Sequence, residues 1–231
     1  MVPLLVDEII MIADPRILAI DIVDNQEPMI DLTQQKIIIY GSSPEIPDNT
    51  DYTKIRKTVF EKLQQAQKLL PKGLRLCLFE GYRSLYLQQT LFDNRIAKVK
   101  KLHSDWSAEQ IFLNATMLIS PVVNQDGSIN IPPHSTGGAF DVYLINNKDE
   151  AIEMGIHPGN WMDDNDGSLS QTSSRSISVE ARANRKIMCE VLSAVGFVNY
   201  PTEYWHWSYG DRYWAYHTKK PHALYGSYQG V

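Results

Sequence analysis

Three separated fragments of this 231-residue chain carry side chains that can hold a metal ion and move protons: Glu80-Gly-Tyr-Arg83, His134-Ser-Thr-Gly-Gly-Ala-Phe-Asp141 and Glu203-Tyr-Trp-His206. Two imidazoles and a carboxylate are suitable zinc ligands, and three protein ligands leave a fourth position for water. A glutamate beside the last histidine can take a proton from that water, and an arginine can steady developing oxyanion charge. That inventory is what metal-assisted peptide hydrolysis requires. Each fragment alone also has a plainer reading: His134 and Asp141 as surface polar groups, Glu203 and His206 as an edge acid and a core histidine, Arg83 as an ion-pair partner of Glu80. The three together, in this order, point to the hydrolase.

The elements that must position these groups are partly legible. His134 and Asp141 are seven residues apart, an odd spacing that puts them on opposite faces of a straight strand. Gly137 and Gly138 relieve this by allowing a turn before a strand that runs to Ile145. Glu203 and His206 lie within the aromatic run Tyr200–Tyr209, where a buried carboxylate is costly unless paired, protonated or near a cation. The run reads as a strand, and the three-residue spacing then requires a twist or bulge. Arg83 follows an apolar strand, Leu74–Phe79, and a glycine, at a strand-to-helix corner.

Elsewhere, apolar spacing predicts a helix over 51–70 through Ile55, Val59, Leu63, Ala66 and Leu70. Further helices are expected from Ser84, as N-cap, toward Lys101, over 108–118, and over 175–195 with Ala183, Ile187 and Val191 on one face and Gly196 at the end. A short helix closes the series over 211–218. The first 50 residues mix a short apolar run, Ile37–Tyr40, with turn formers at Gly41–Pro44 and Pro47–Asn49, and are expected to wrap the core. The whole predicts one α+β domain over 1–231, a mostly antiparallel central sheet flanked by helices, with the zinc site in a cleft.

Composition narrows the partners. Apolar residues make up 43% of the chain and the net charge is −5. Lys98-Val-Lys-Lys101 reads as one solvated helix face, so no basic surface for nucleic acid is expected. The opening Met1–Ile12 lacks a basic leader and is broken by Asp7 and Glu8. No run reaches ~18 apolar residues, which predicts a soluble, cytoplasmic protein with no membrane partner. Cys77 and Cys189 form no CxxC pair, and Cys77 reads as a buried strand thiol. The acidic run Asp163–Gly167 fails the calcium-loop template. Oligomeric state has no signature here.

The succession of a Gly-Tyr-Arg corner, His-x6-Asp and Glu-x-Trp-His, followed by Trp207-Ser-Tyr-Gly-Asp-Arg-Tyr-Trp-Ala215, resembles the zinc D-alanyl-D-alanine dipeptidases of the vancomycin-resistance type. That family is related to the zinc D,D-carboxypeptidases, and the resemblance spans roughly residues 74–226. It implies one Zn2+ per chain on His134, Asp141 and His206, with Glu203 as catalytic base and Arg83 as the group that stabilises the transition state. It also implies a compact α+β fold with zinc at the floor of a cleft. The activity implied is hydrolysis of a small D,D-dipeptide, D-alanyl-D-alanine, to two D-alanines by a Glu203-activated zinc-bound water. Two departures concern the substrate ends. Pro132 and Pro133 stand where the family has small hydroxyl residues. After Met154-Gly155, Asn160 stands near the expected acid that grips the substrate ammonium, with Asp163 or Asp164 as substitutes. Asn160, Asp163 and Ser135 are therefore the candidate substrate-binding residues. The alternatives are a zinc D,D-carboxypeptidase acting on longer peptidoglycan peptides and a non-catalytic zinc module that binds peptides.

Overall fold

The computed structural model of the chain describes residues 9–44, 49–164 and 166–228. Most of the opening Met1–Ile12, part of the Pro47–Asn49 turn and Asn165 of the acidic run thus lie outside the described residues. The described N-terminal stretch forms α1 (Pro15–Leu18), with the Asp14 side chain as its cap, and then β1 (Met29–Asp31) and β2 (Ile39–Tyr40). Ile17 packs with Tyr200 and Tyr213, while Leu32 and Ile38 enter the main core.

The helix expected over 51–70 begins only at Lys57. Asp51–Thr53 is a 3-10 turn, and Ile55 lies in β3 (Lys54–Arg56), which runs straight into α2 (Lys57–Leu69). The reason is nonlocal: β1 lies antiparallel to β3, with Ile30 opposite Ile55. Ile55 meets the same core as Val59, Leu63 and Ala66, so strand and helix together imitate one helical spacing. Next come β4 (Arg75–Glu80), α3 (Leu85–Leu102), whose Ser84 cap accepts from Leu87 N at 3.2 Å, and α4 (Ala108–Ala115). A reciprocal box between Ser107 and Gln110 starts α4.

The remaining elements are β5 (Ala139–Ile145), α5 (Val179–Ala194), β6 (Val198–Asn199), β7 (His206–Ser208) and α6 (Arg212–His217). Ser178 caps α5, four residues later than the start expected. Its buried face is Ala181, Arg185, Met188, Val191 and Leu192, whereas Ala183 is exposed. The expected face was one step out of phase, because the buried Arg185 occupies a core position that apolar spacing passes over. Its guanidinium is satisfied by the carbonyls of Met154, Gln171 and Leu169 and stacks over Tyr204.

The central sheet has five strands in the order β2-β4-β5-β7-β6; β2 is parallel to β4 and the other pairs are antiparallel. Alternation along the strands divides the sheet into two faces. Leu76, Leu78, Phe140, Val142, Leu144 and Trp207 meet α2 and α5 on one face and form the main core. On the opposite side α3 packs on α4 through Leu87, Leu91, Phe92, Ala115 and Ile119. Among the described residues no helix is long and apolar enough to cross a membrane.

Both cysteines are free, Cys77 buried in β4 and Cys189 half-buried on α5. Burial raises the Cys77 thiol and pushes that of Cys189 up to about 11. Thiolate is the reactive form, so iodoacetamide at pH 7.5 should label neither residue in the native protein and both after denaturation. Mass spectrometry of the labelled protein checks this.

Candidate active site

Hydrogen-bond register brings the site together. Glu80 of β4 lies opposite Asp141 of β5, and Asp141 lies opposite His206 of β7. Directly opposed residues on antiparallel strands share a face, so one row across three strands carries all three polar side chains. Glu80 reaches that row through a bulge. Leu78 faces Val142 and Glu80 faces Asp141, which leaves Phe79 as an extra residue. Without it, Glu80 would follow Leu76 and Leu78 into the core face; the bulge re-aims it.

His134 comes to the row from a 3-10 turn, Pro133–Thr136. Gly137 follows in the left-handed conformation (φ +70°), which a side chain would strain. The turn is held from below by Arg56, whose guanidinium donates to the carbonyls of Thr136 and Glu27 and stacks on Tyr225 and Tyr228. His134 Nδ1 lies 2.8 Å from the Gly81 carbonyl. A carbonyl only accepts, so Nδ1 carries the proton and Nε2 is left to face the site. Gly81 is itself wedged against backbone: a Cβ there would stand 2.5 Å from the Lys54 carbonyl.

Glu203 is not on a strand. Residues 200–205 form a loop between β6 and β7, and the strand begins at His206. Glu203 N donates to Tyr200 O, and His206 N donates to Glu203 O at 3.1 Å. The Asn199 amide ties the carbonyls of Glu203 and His206. The expected twist or bulge is thus replaced by a tight turn, which projects Glu203 and His206 into one cleft despite their three-residue spacing. Burial, then the Asp141 charge, raise the Glu203 carboxyl well above the usual carboxylate range.

Arg83 pairs with Glu80, as its plainer reading had it: Nε donates to Glu80 Oε1 at 2.8 Å and Nη2 to the other oxygen. Nη1 donates to Gln88 Oε1 at 3.0 Å, and Gln88 in turn donates to Ser120 O. Ion pair and site residue are not alternatives here, because Arg83 and Glu80 line the same cleft as Asp141, Glu203 and the two histidines. Gln88, only 2% exposed, escaped the sequence reading; a polar residue on a helix carries no signal of which side chain it will meet.

His134 Nε2, His206 Nδ1 and Asp141 Oδ1 converge. The separations are 3.1 Å between the two nitrogens, 3.1 Å from His206 to Asp141 and 3.4 Å from His134 to Asp141. Donors at about 2.0–2.1 Å from a tetrahedral zinc stand about 3.3 Å apart, so this donor set fits that ion in type and in spacing. All three residues are buried. Burial is the largest influence on the His134 pKa and pulls it down, but the charge and the hydrogen bond of Asp141 together leave the value raised. Burial depresses His206, with Asp141 offsetting only part of the effect. Burial would raise Asp141, yet the two imidazoles hold it below the usual carboxylate range. Among the described residues three carboxyl groups and one guanidinium line the cleft, an imbalance that a divalent cation offsets.

The walls of the cleft are apolar: Ile12 from the N-terminal segment, Leu91, Leu118 and Ile119 from the α3–α4 layer, Pro132, Pro133, Pro158 and Trp161 from loops. Asn160 and Asp163 are not among its lining residues, and both are exposed. They lie on the 3-10 turn Pro158–Asp163, whose three-residue repeat turns Pro158 and Trp161 inward. Asn160 instead borders a second depression beside Tyr143, His157 and Tyr204. Asp164 is buried, with Oδ2 accepting from Ser170 N. Ser135 is fully buried beside the first histidine, and its carbonyl accepts from Tyr228 N.

Within an α+β fold, such a donor triad beside a buried carboxyl group and an arginine defines a metallopeptidase. The chain belongs to the D-Ala-D-Ala dipeptidase family, peptidase M15, whose profile matches residues 48–223. It is similar to a D-alanyl-D-alanine dipeptidase of Synechocystis sp. (strain ATCC 27184 / PCC 6803 / Kazusa), 24% identical over 89% of this chain and 91% of the relative. Solved structures with some likeness include a vancomycin-resistance D,D-pentapeptidase, VanY, in complex with Zn(II) (18% identity, 86% of this chain and 93% of that one, TM-score 0.38). Another is the LdcB LD-carboxypeptidase (17% identity, 85% and 76%, TM-score 0.36).

The approach of β5 to β7 gives a test of the site's frame. A Cβ on Gly138 would stand 2.4 Å from the Tyr209 carbonyl, so Gly138→Ala must part the two strands that carry Asp141 and His206. The variant should lose about 1–3 kcal/mol in urea unfolding and retain less metal than the parent by elemental analysis.

Proposed function

We propose that the chain hydrolyses D-alanyl-D-alanine to two D-alanines, with one zinc ion per chain held by His134, Asp141 and His206. The observation that carries this reading is the meeting, in one buried cleft, of three ligand atoms 3.1–3.4 Å apart with the Glu203 carboxyl and the Arg83 guanidinium. Zinc bound there would polarise the scissile carbonyl and lower the pKa of water to roughly 7.

The chain's own groups then have separate tasks. Glu203, raised by burial and by Asp141, suits a carboxyl group that both takes and returns a proton near neutrality. It removes a proton from water as the oxygen attacks the carbonyl carbon, and delivers it to the nitrogen of the departing D-alanine as the C–N bond breaks. Arg83, fixed by Glu80 and Gln88, offsets negative charge growing on the carbonyl oxygen, and it needs no reorganisation to do so. The apolar walls suit the two methyl side chains of the substrate. Family membership and the dipeptidase relative of similar length support the choice of substrate.

One observation favours a second reading, a D,D-carboxypeptidase on longer peptides. Among the described residues the carboxyl groups lining the cleft are Glu80, Asp141 and Glu203, and each already has a task, so none of these is left to grip a free substrate ammonium.

Zinc-loaded protein should release D-alanine from D-Ala-D-Ala but not from an amine-blocked peptide ending in D-Ala-D-Ala. Cleavage of the blocked peptide would establish the second reading, and cleavage of neither would reject both. Glu203→Ala should keep its zinc and lose at least about 10²-fold in kcat; near-normal turnover would remove Glu203 from the role of base. His134→Ala and His206→Ala should instead be purified without stoichiometric zinc.

A further inference from the structure

His206 presents Nδ1 to Asp141 and His134, which leaves Nε2 on the far side of the ring. When one imidazole nitrogen ligates a metal, the other carries the proton and is normally donated to a carboxylate, carbonyl or hydroxyl that fixes the ring and its tautomer. For His134 that partner is the Gly81 carbonyl. For His206 the corresponding nitrogen is buried without a hydrogen-bond partner among the described residues.

Two further buried polar atoms close no well-formed hydrogen bond among the described residues and lie close along the chain: Ser208 Oγ and Asp211 Oδ2, with the Ser208 hydroxyl near enough to favour the ionised Asp211 carboxyl. Ser208 follows His206 by two residues on β7 and so shares its face. Gly210, two residues past the end of β7, is in the left-handed conformation (φ +74°) and bends the chain before Asp211. Asp211 is 1% exposed, and its charge acts on both His206 and His134. Its Oδ1 caps α6 by accepting from Trp214 N at 2.8 Å. Capping alone does not call for a carboxylate, since serine, threonine or asparagine caps as well. A buried carboxylate is costly unless its second oxygen also finds a donor.

We propose that Asp211 is a positioning residue for His206. With zinc on Nδ1, the Oδ2 of Asp211, together with the Ser208 hydroxyl, would take the His206 Nε2–H and so hold Nδ1 as the ligating nitrogen. One carboxylate then has two tasks: Oδ1 starts α6 and Oδ2 orients a ligand, which couples the last helix to the metal centre. The inference rests on the zinc reading above.

Asp211→Asn separates the two tasks. The amide oxygen can still cap Trp214 N, while the amide NH2 replaces the Oδ2 acceptor with a donor. Asp211→Ser keeps a cap and removes the acceptor altogether. Chelator competition should show zinc Kd raised about 10–100-fold in both variants, with the Tm of the metal-free proteins near that of the parent. Zinc Kd within twofold of the parent in both variants would overturn the proposal. So would a loss of affinity that merely tracks a fall in metal-free Tm. Failure of the parent protein to bind zinc would instead overturn the metal reading itself, and this inference with it.

Discussion

Residues that face one another across antiparallel strands must project from the same side of the sheet, and the site depends on that constraint. The β4-β5-β7 register sets Glu80, Asp141 and His206 in one row. Everything else in the cleft is placed relative to the row. A one-residue slip of any of these strands would exchange the polar row for the core row of Leu78, Phe140 and Trp207. The same hydrogen bonds that keep the core apolar therefore keep the polar side chains of the row convergent. The Phe79 bulge is the one local departure from regular pairing in β4, and it is what places Glu80 under Arg83.

A buried cluster of this charge is unfavourable unless each group is paired. The pairing is layered. Glu80 and Gln88 hold Arg83, Gly81 holds His134, and the imidazoles hold Asp141. Glu203 is the exception, a carboxyl that burial and the Asp141 charge raise by more than Arg83 and its hydrogen bond at Trp205 lower it. A group left in that condition at the centre of a cleft is suited to exchange protons rather than to bind structure together.

The site is also tied to parts of the chain far away in sequence. Arg56 joins the carbonyls of Glu27, Thr136 and Gly226 beneath the His134 turn. Ile12, from the N-terminal segment, contributes to the cleft wall. The candidate metal site is thus clamped by both ends of the described chain, and its geometry is a property of the whole fold.

Much of this was legible in the residues. The five chemical groups, their order and the glycine turn before Asp141 follow from side-chain type and short-range backbone rules, which depend only on neighbours in sequence. The helix start at Ser84 was readable for the same reason: a cap is satisfied within one turn. What tertiary structure alone decided is every feature set by a partner distant along the chain. The strand β3 hid within a helical spacing because its partner β1 lies about 25 residues earlier. The face of α5 shifted because three carbonyls from two loops accommodate Arg185. Glu203 left the strand for a turn because Asn199 gathers its carbonyls, and Asn160 and Asp163 swung outward on a 3-10 turn. The kinds of chemistry available were thus written into residue types, whereas their meeting at one point came from strand register and long-range hydrogen bonding, which no local pattern encodes.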